Sequence, residues 1–248
     1  MPFDDMAVAD GAMVDLGRLL QPKVEAEVAF VLRADLSGPG LDEEAVRAAT
    51  DHVVAALEIV DSRIAGWDIT FVDTVSDNAS SGLYVLGQAP VLLDDLDLAE
   101  VGMKLVDGNG AVVSQGSGAD CLGDPVTAVL WLARTCQDFG APLRAGEVVL
   151  SGALGPMVPA VSGGIYTASL DGLGTVSVGF CGPDVPAMSD PSTAFTVRRI
   201  DEMTTKVAIV GSGNIGSDLM MKIIRPGCSR PWDPDQDPRP REPVAVRS

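Results

Sequence analysis

From residue 21 to residue 32 apolar and polar side chains alternate, and a period of two predicts a β-strand. Val24, Ala26, Val28, Phe30 and Leu32 fall on one face, and Lys23, Glu25 and Glu27 on the other. After the loop Ser37-Gly38-Pro39-Gly40, Asp42 caps a helix with Glu43 and Glu44 in its first turn. Ala45, Val46, Ala49, Val53, Ala56 and Leu57 continue at helical spacing, so His52 is expected inside that helix. The apolar run around Glu58 then reads as a buried strand, and residues 83–87 as another.

Residues 99–118 predict a hairpin around Asp107-Gly108-Asn109-Gly110. Asp124-Pro125 opens a helix that runs through Val129, Leu130, Leu132 and Ala133 to Gly140, with Trp131 expected in the core. Residues 147–152 form a strand ending in a small-residue loop, and residues 165–170 and 175–180 flank a second hairpin turn. Strands dominate and do not alternate regularly with the two helices. The expected fold is α+β, a rolled mixed β-sheet with flanking helices.

The chain changes character after residue 180. Residues 1–180 make the body, with 1–20 as a lead-in, and residues 181–202 read as a linker. Residues 206–210 predict a strand, followed by Gly211-Ser212-Gly213-Asn214-Ile215-Gly216 and a helical pattern to Arg225. That is G-x-G-x-x-G in strand-to-helix context, the arrangement that cradles a pyrophosphate. No second strand or ribose-binding acid follows, so residues 203–225 read as an incomplete dinucleotide-binding unit. Residues 226–248, rich in Pro, Arg and Asp, are expected to be disordered.

Charge and composition narrow the chemistry. A net charge of −18 makes nucleic acid and anionic membranes poor partners. No apolar run is long enough to span a bilayer and no secretory signal is visible, so a cytoplasmic location is expected. Cys121, Cys136, Cys181 and Cys228 form no C-x-x-C pair and are expected to be reduced and mostly buried. One histidine is too few for a His-rich metal site, and catalysis falls to carboxylates, lysines, hydroxyls and a metal.

Three carboxylates stand out. Glu25 and Glu27 share a strand face with their roots roughly 6–7 Å apart, within reach of one hard divalent cation, though such a face also suits plain solvation. Glu58 sits in an apolar run and needs a partner there, either the same cation or a salt bridge to Arg63 or another cation. The polar run over residues 73–82 is either a turn or a loop offering hydroxyl and amide groups to a small ligand.

Four segments carry a family resemblance: Gln21-Pro22-Lys23-Val24-Glu25-Ala26-Glu27, Glu58-Ile59-Val60-Asp61-Ser62-Arg63, Asp77-Asn78-Ala79-Ser80 and Leu150-Ser151-Gly152-Ala153-Leu154-Gly155. Together they resemble the 2-keto-4-pentenoate hydratases of the fumarylacetoacetate hydrolase superfamily. The resemblance implies Mg²⁺ or Mn²⁺ on Glu25, Glu27 and Glu58, and hydration of 2-hydroxypenta-2,4-dienoate to 4-hydroxy-2-oxopentanoate in aromatic meta-cleavage. It makes Asp77 a candidate general acid or base, Ser62, Arg63, Asn78 and Ser80 candidates for orienting substrate, and a homo-oligomer the expected assembly. The related 4-oxalocrotonate decarboxylases share these ligands. The family's N-terminal Gly-Lys-Lys-Ile-Gly-type stretch, which contributes a lysine, has no counterpart before Phe3, so a catalytically inactive subunit is the other expectation. Residues 203–225 resemble the start of acylating acetaldehyde dehydrogenase.

Overall fold

The computed structural model describes residues 6–183 and the backbone of residues 222–224. The eleven-residue strand β3 (Pro22–Leu32) and the twelve-residue β4 (Thr50–Asp61) form its longest ladder, antiparallel and almost unbroken. Around them the chain lays down β1 (Ala7–Val8), β2 (Met13–Asp15), β5 (Ser81–Leu86), β6 (Gly102–Asp107) and β7 (Val112–Ser117). Strands β8 (Val148–Leu150), β9 (Val158–Pro159), β10 (Ile165–Leu170), β11 (Gly174–Cys181) and β12 (Lys222–Ile224) complete the set. The helices are α1 (Glu43–Ala49), α2 (Phe71–Ser76) and α3 (Pro125–Asp138).

Among the described residues the strands make two mixed sheets. One runs β1-β5-β4-β3-β8-β12, with β9 also paired to β3; the other runs β2-β11-β10-β6-β7. The inner faces meet where β10 and β11 pack on β4. Val24, Ala26, Val28 and Phe30 of β3 enter this core with Leu57 and Ile59 of β4, Val129 and Leu132 of α3, and Val178 and Phe180 of β11. The lead-in to β3 serves both sheets, because β1 pairs with β5 in one and β2 with β11 in the other.

The helix expected through Leu57 stops at Ala49. Its Asp42 cap is present, the side chain accepting from the Ala45 N–H at 2.9 Å. Beyond it the β-branched run Thr50, Val53, Val54, Ile59 and Val60 favours extended backbone, and β3 and β5 supply hydrogen-bonding edges on both sides of β4. His52 therefore lies on β4, beside Asp51 at 2.8 Å. Trp131, expected in the core, is 41% exposed on the outer face of α3. Within the polar run 73–82 the chain first completes α2, closed by a reciprocal cap between Thr70 and Asp73. The helix expected up to Arg225 is not found at residues 222–224, which form a strand against the open edge of β8. The rest of the expected linker, dinucleotide unit and tail, and Cys228, lie outside the described residues. The two hairpins and α3 fall where the pattern placed them. Of the described cysteines, all free, only Cys121 is buried.

Candidate metal centre

The face of β3 turned away from the main core carries Lys23, Glu25, Glu27 and Ala29. It is covered, not solvated: Ala29, Val54, Ala56, Tyr84 and Leu150 form a second apolar cluster on the same side of the sheet. Antiparallel register sets Glu25 directly opposite Glu58 and Glu27 opposite Ala56. Directly opposed side chains have roots about 4.5–5.5 Å apart, so the three carboxylates converge. One oxygen from each lies within 4.8 Å of the other two, and the residues are 5%, 1% and 2% exposed.

Gathering three carboxylates away from water is unfavourable without a cation. An all-oxygen donor set from carboxylates is the set that hard divalent cations take. The residues therefore fit the divalent metal that the family resemblance implies.

Glu27 is fixed from the side of β8. Its Oε2 accepts the Gly152 N–H at 2.8 Å. Gly152 sits at φ +99°, a backbone conformation that glycine takes without strain. The loop carrying it is fastened to the edge of β3: the Val28 N–H donates to Ser151 Oγ at 3.1 Å and the Leu154 N–H to the Ala26 carbonyl at 2.9 Å. Cys121 lies behind this loop, its thiol donating to the Ser151 carbonyl. Burial, with the negative charge of Glu27 adding to it, pushes that thiol up to about 12.

The second candidate group assembles just past the end of β4. Asp77, 2% exposed at its side chain, accepts from Ser62 Oγ and Ser80 Oγ at 2.8 Å each and pairs with Arg63 Nε at 2.7 Å. The Arg63 backbone N–H adds contacts at 3.2 Å. Arg63 also donates through Nη1 to the carbonyls of Asp61 and Ser81 and through Nη2 to that of Asp77. Asn78, Ala79 and Ser80 follow in the left-handed region at φ 54°, 56° and 51°. Three successive non-glycine residues there store strain, and such strain persists where the surroundings impose it. The structure thus brings Ser62, Arg63, Asp77 and Ser80 into one network. Glu58 is not bridged to Arg63, whose partner is Asp77.

Sequence reasoning did not single out a third group. Lys23 Nζ stands 4.0 Å from the centroid of the Trp67 ring. Burial lowers the Lys23 pKa, opposed by the negative charge of Glu25. Gln21 holds the loop that carries Trp67, donating to the Ser62 and Ile64 carbonyls and accepting the Gly66 N–H. Only the alternation that placed Lys23 beside Glu25 hinted at this.

A family model described as fumarylacetoacetate hydrolase C-terminal matches residues 3–180. The chain belongs to the fumarylacetoacetate hydrolase family. Within that family it is 53% identical over 180 residues to 2-keto-4-pentenoate hydratase 1 of Dechloromonas aromatica (strain RCB), covering 73% of this chain and 68% of that protein. It is 46% identical to 2-hydroxyhexa-2,4-dienoate hydratase of Comamonas testosteroni, with 71% and 67% covered. The structure of 4-oxalocrotonate decarboxylase from Pseudomonas putida G7, complexed with magnesium and adipate, superposes with a TM-score of 0.68 at 37% identity, covering 71% of this chain and 67% of that one. The chain spans about two thirds of the length of the curated relatives it matches. No helix among the described residues is long and apolar enough to cross a membrane.

Proposed function

We propose that the chain hydrates 2-hydroxypenta-2,4-dienoate to 4-hydroxy-2-oxopentanoate, with Mg²⁺ or Mn²⁺ held by Glu25, Glu27 and Glu58. The observation that carries the reading is the buried triad within 180 residues that are 53% identical to a named hydratase. A cation bound there supplies a Lewis acid for the 2-oxygen and carboxylate of the substrate. The protein supplies the rest. In the overall change the 2-hydroxyl loses its proton, C5 and C3 each gain one, and the oxygen of water ends on C4. Gly152 keeps Glu27 aimed at the centre through its N–H, and the covered face limits water around the reacting atoms.

Asp77 takes a different role from the expected acid or base. Its oxygens already receive Ser62, Ser80 and Arg63, so in this reading it positions the strained Asn78-Ala79-Ser80 turn, with Ser80 and Asn78 beside the substrate. Arg63 serves the same turn, since its guanidinium donors are directed at protein oxygens. The substrate is a small dienoate, the assembly a homo-oligomer and the location cytoplasmic.

The structural likeness at 37% identity favours one second reading, decarboxylation of 4-oxalocrotonate. The test follows loss of dienoate ultraviolet absorbance with added Mg²⁺ or Mn²⁺, beside a Glu25→Ala, Glu27→Ala double variant. Release of CO₂ from 4-oxalocrotonate is measured in parallel. Metal-dependent hydration lost in the double variant supports the reading. CO₂ release without hydration transfers it to the decarboxylase, and a folded chain with neither activity is a non-catalytic subunit.

A further inference from the structure

Lys23 precedes Glu25 by two residues on β3 and shares its face, next along the strand from the triad. Its ammonium is held over the ring of Trp67. That ring is itself fixed, because the indole N–H donates to the Gln21 carbonyl at 3.0 Å and the Gln21 side chain holds the preceding loop at Ser62, Ile64 and Gly66. A cation over an aromatic face is stabilised while its N–H donors remain available to an acceptor. Arg47–Asp94, His52–Asp51, Arg63–Asp77 and Arg144–Asp35 are ion pairs among the described residues. Lys23 enters none of them, although acidic residues outnumber basic ones two to one in this chain.

We propose that Lys23 is the anion-binding residue of this centre, its ammonium held by Trp67 beside the triad to pair with the carboxylate of a bound 2-oxo acid. The proposal rests on the hydratase reading for the class of its ligand. Charge counting supports it. Three carboxylates and one divalent cation leave a net charge of −1, and an incoming substrate carboxylate adds another. A further cation has to offset that repulsion. Arg63 does not meet the need, since Asp77 and three backbone carbonyls occupy it. Lys23 is placed for the task, its ammonium held over the Trp67 ring on the same strand face as Glu25.

The test uses the full chain loaded with Mn²⁺ and titrates pyruvate, the simplest 2-oxo acid, by calorimetry. Lys23→Met keeps the apolar stem and removes the charge, Lys23→Arg keeps the charge, and Trp67→Leu removes the ring. Lys23→Met is expected to weaken pyruvate binding roughly tenfold or more, the size of one charge-assisted hydrogen bond. Lys23→Arg is expected to retain most of the affinity, and Trp67→Leu to lose part of it. Mn²⁺ affinity, measured separately, should be unchanged or tighter in Lys23→Met, which separates an anion site from a general loss of structure. Pyruvate binding by Lys23→Met equal to that of the parent chain would overturn the proposal. A parent chain that binds pyruvate through Lys23 yet leaves the dienoate untouched would overturn the hydratase reading and leave the anion site standing.

Discussion

Replacing Glu58 by Gln should stabilise the metal-free fold and destabilise the metal-loaded one relative to the parent chain. The triad oxygens lie within 4.8 Å of one another. At an effective dielectric near 20, two unit charges at that separation repel by about 3.5 kcal/mol. Neutralising Glu58 removes two of the three pairwise repulsions, about 7 kcal/mol for fully ionised groups at that separation, which proton uptake, side-chain relaxation and water penetration reduce. A gain on the order of 2 kcal/mol remains, which raises the unfolding midpoint by about 4–8 °C for a chain of this length. Glutamine has the size of the residue it replaces, so no cavity offsets the gain. With Mg²⁺ at about 100 times its dissociation constant the parent chain gains about 2.7 kcal/mol, and the variant, short of one ligand, gains much less. Thermal unfolding followed by circular dichroism, in EDTA and then in MgCl₂, reads both halves. If the variant melts at or below the parent temperature in EDTA, and Mg²⁺ raises both equally, then the three carboxylates do not form a common cation site.

Asp77→Asn keeps the shape of the Ser62–Ser80 network but weakens its pairing with Arg63, and should cost roughly 2–4 kcal/mol in urea denaturation; lost activity with unchanged stability would instead mark Asp77 as a proton carrier. Cys121, its thiol raised to about 12 by burial, should resist alkylation at mildly alkaline pH until the chain unfolds, while exposed Cys181 reacts, as peptide mass mapping would show. Burial holds the Asp61 carboxyl above its ordinary 3.8 against the Gln21 and Leu20 N–H groups and the charge of Arg63. A raised folded value means that its contribution is fully present below that ordinary value and is lost as pH rises through the folded one. The stability of the parent chain relative to Asp61→Asn should therefore fall as pH rises above the ordinary carboxylate value of 3.8 in urea titrations, and a constant difference would contradict the assignment.

Much of the ladder around the triad could be read from residue order alone, and the reasons differ by element. β3 announces itself because alternation is a local property, so the shared face of Glu25 and Glu27 needed no partner strand to be seen. The first half of β4 did not, because its alanines fit the helical spacing begun in α1; pairing with β3 and β5 decided the matter, and such pairing is non-local. The register that sets Glu58 opposite Glu25 belongs to the same class of information, and local spacing showed only that Glu58 was buried. The polar run 73–82 was visible as a site candidate, while the convergence of Ser62, Arg63 and Ser80 on Asp77 depends on how two loops meet. Lys23 over Trp67 was illegible for the same reason, and the exposure of Trp131 shows that an aromatic residue in an amphipathic helix does not by itself declare its face.

The double pairing of residues 7–15 bears on how the molecule comes to be made. Synthesis delivers these residues before their partners: β2 cannot pair until β11 has emerged, and the Ser177 N–H that closes onto Asp10 comes 167 residues later. Contacts of such sequence separation form slowly, since a long loop must close before they return any energy. β1 finds its partner once β5 is made, but β2 waits, with an unpaired edge, until β11 follows, which makes β2 a place where a chaperone or a neighbouring nascent chain has long to bind.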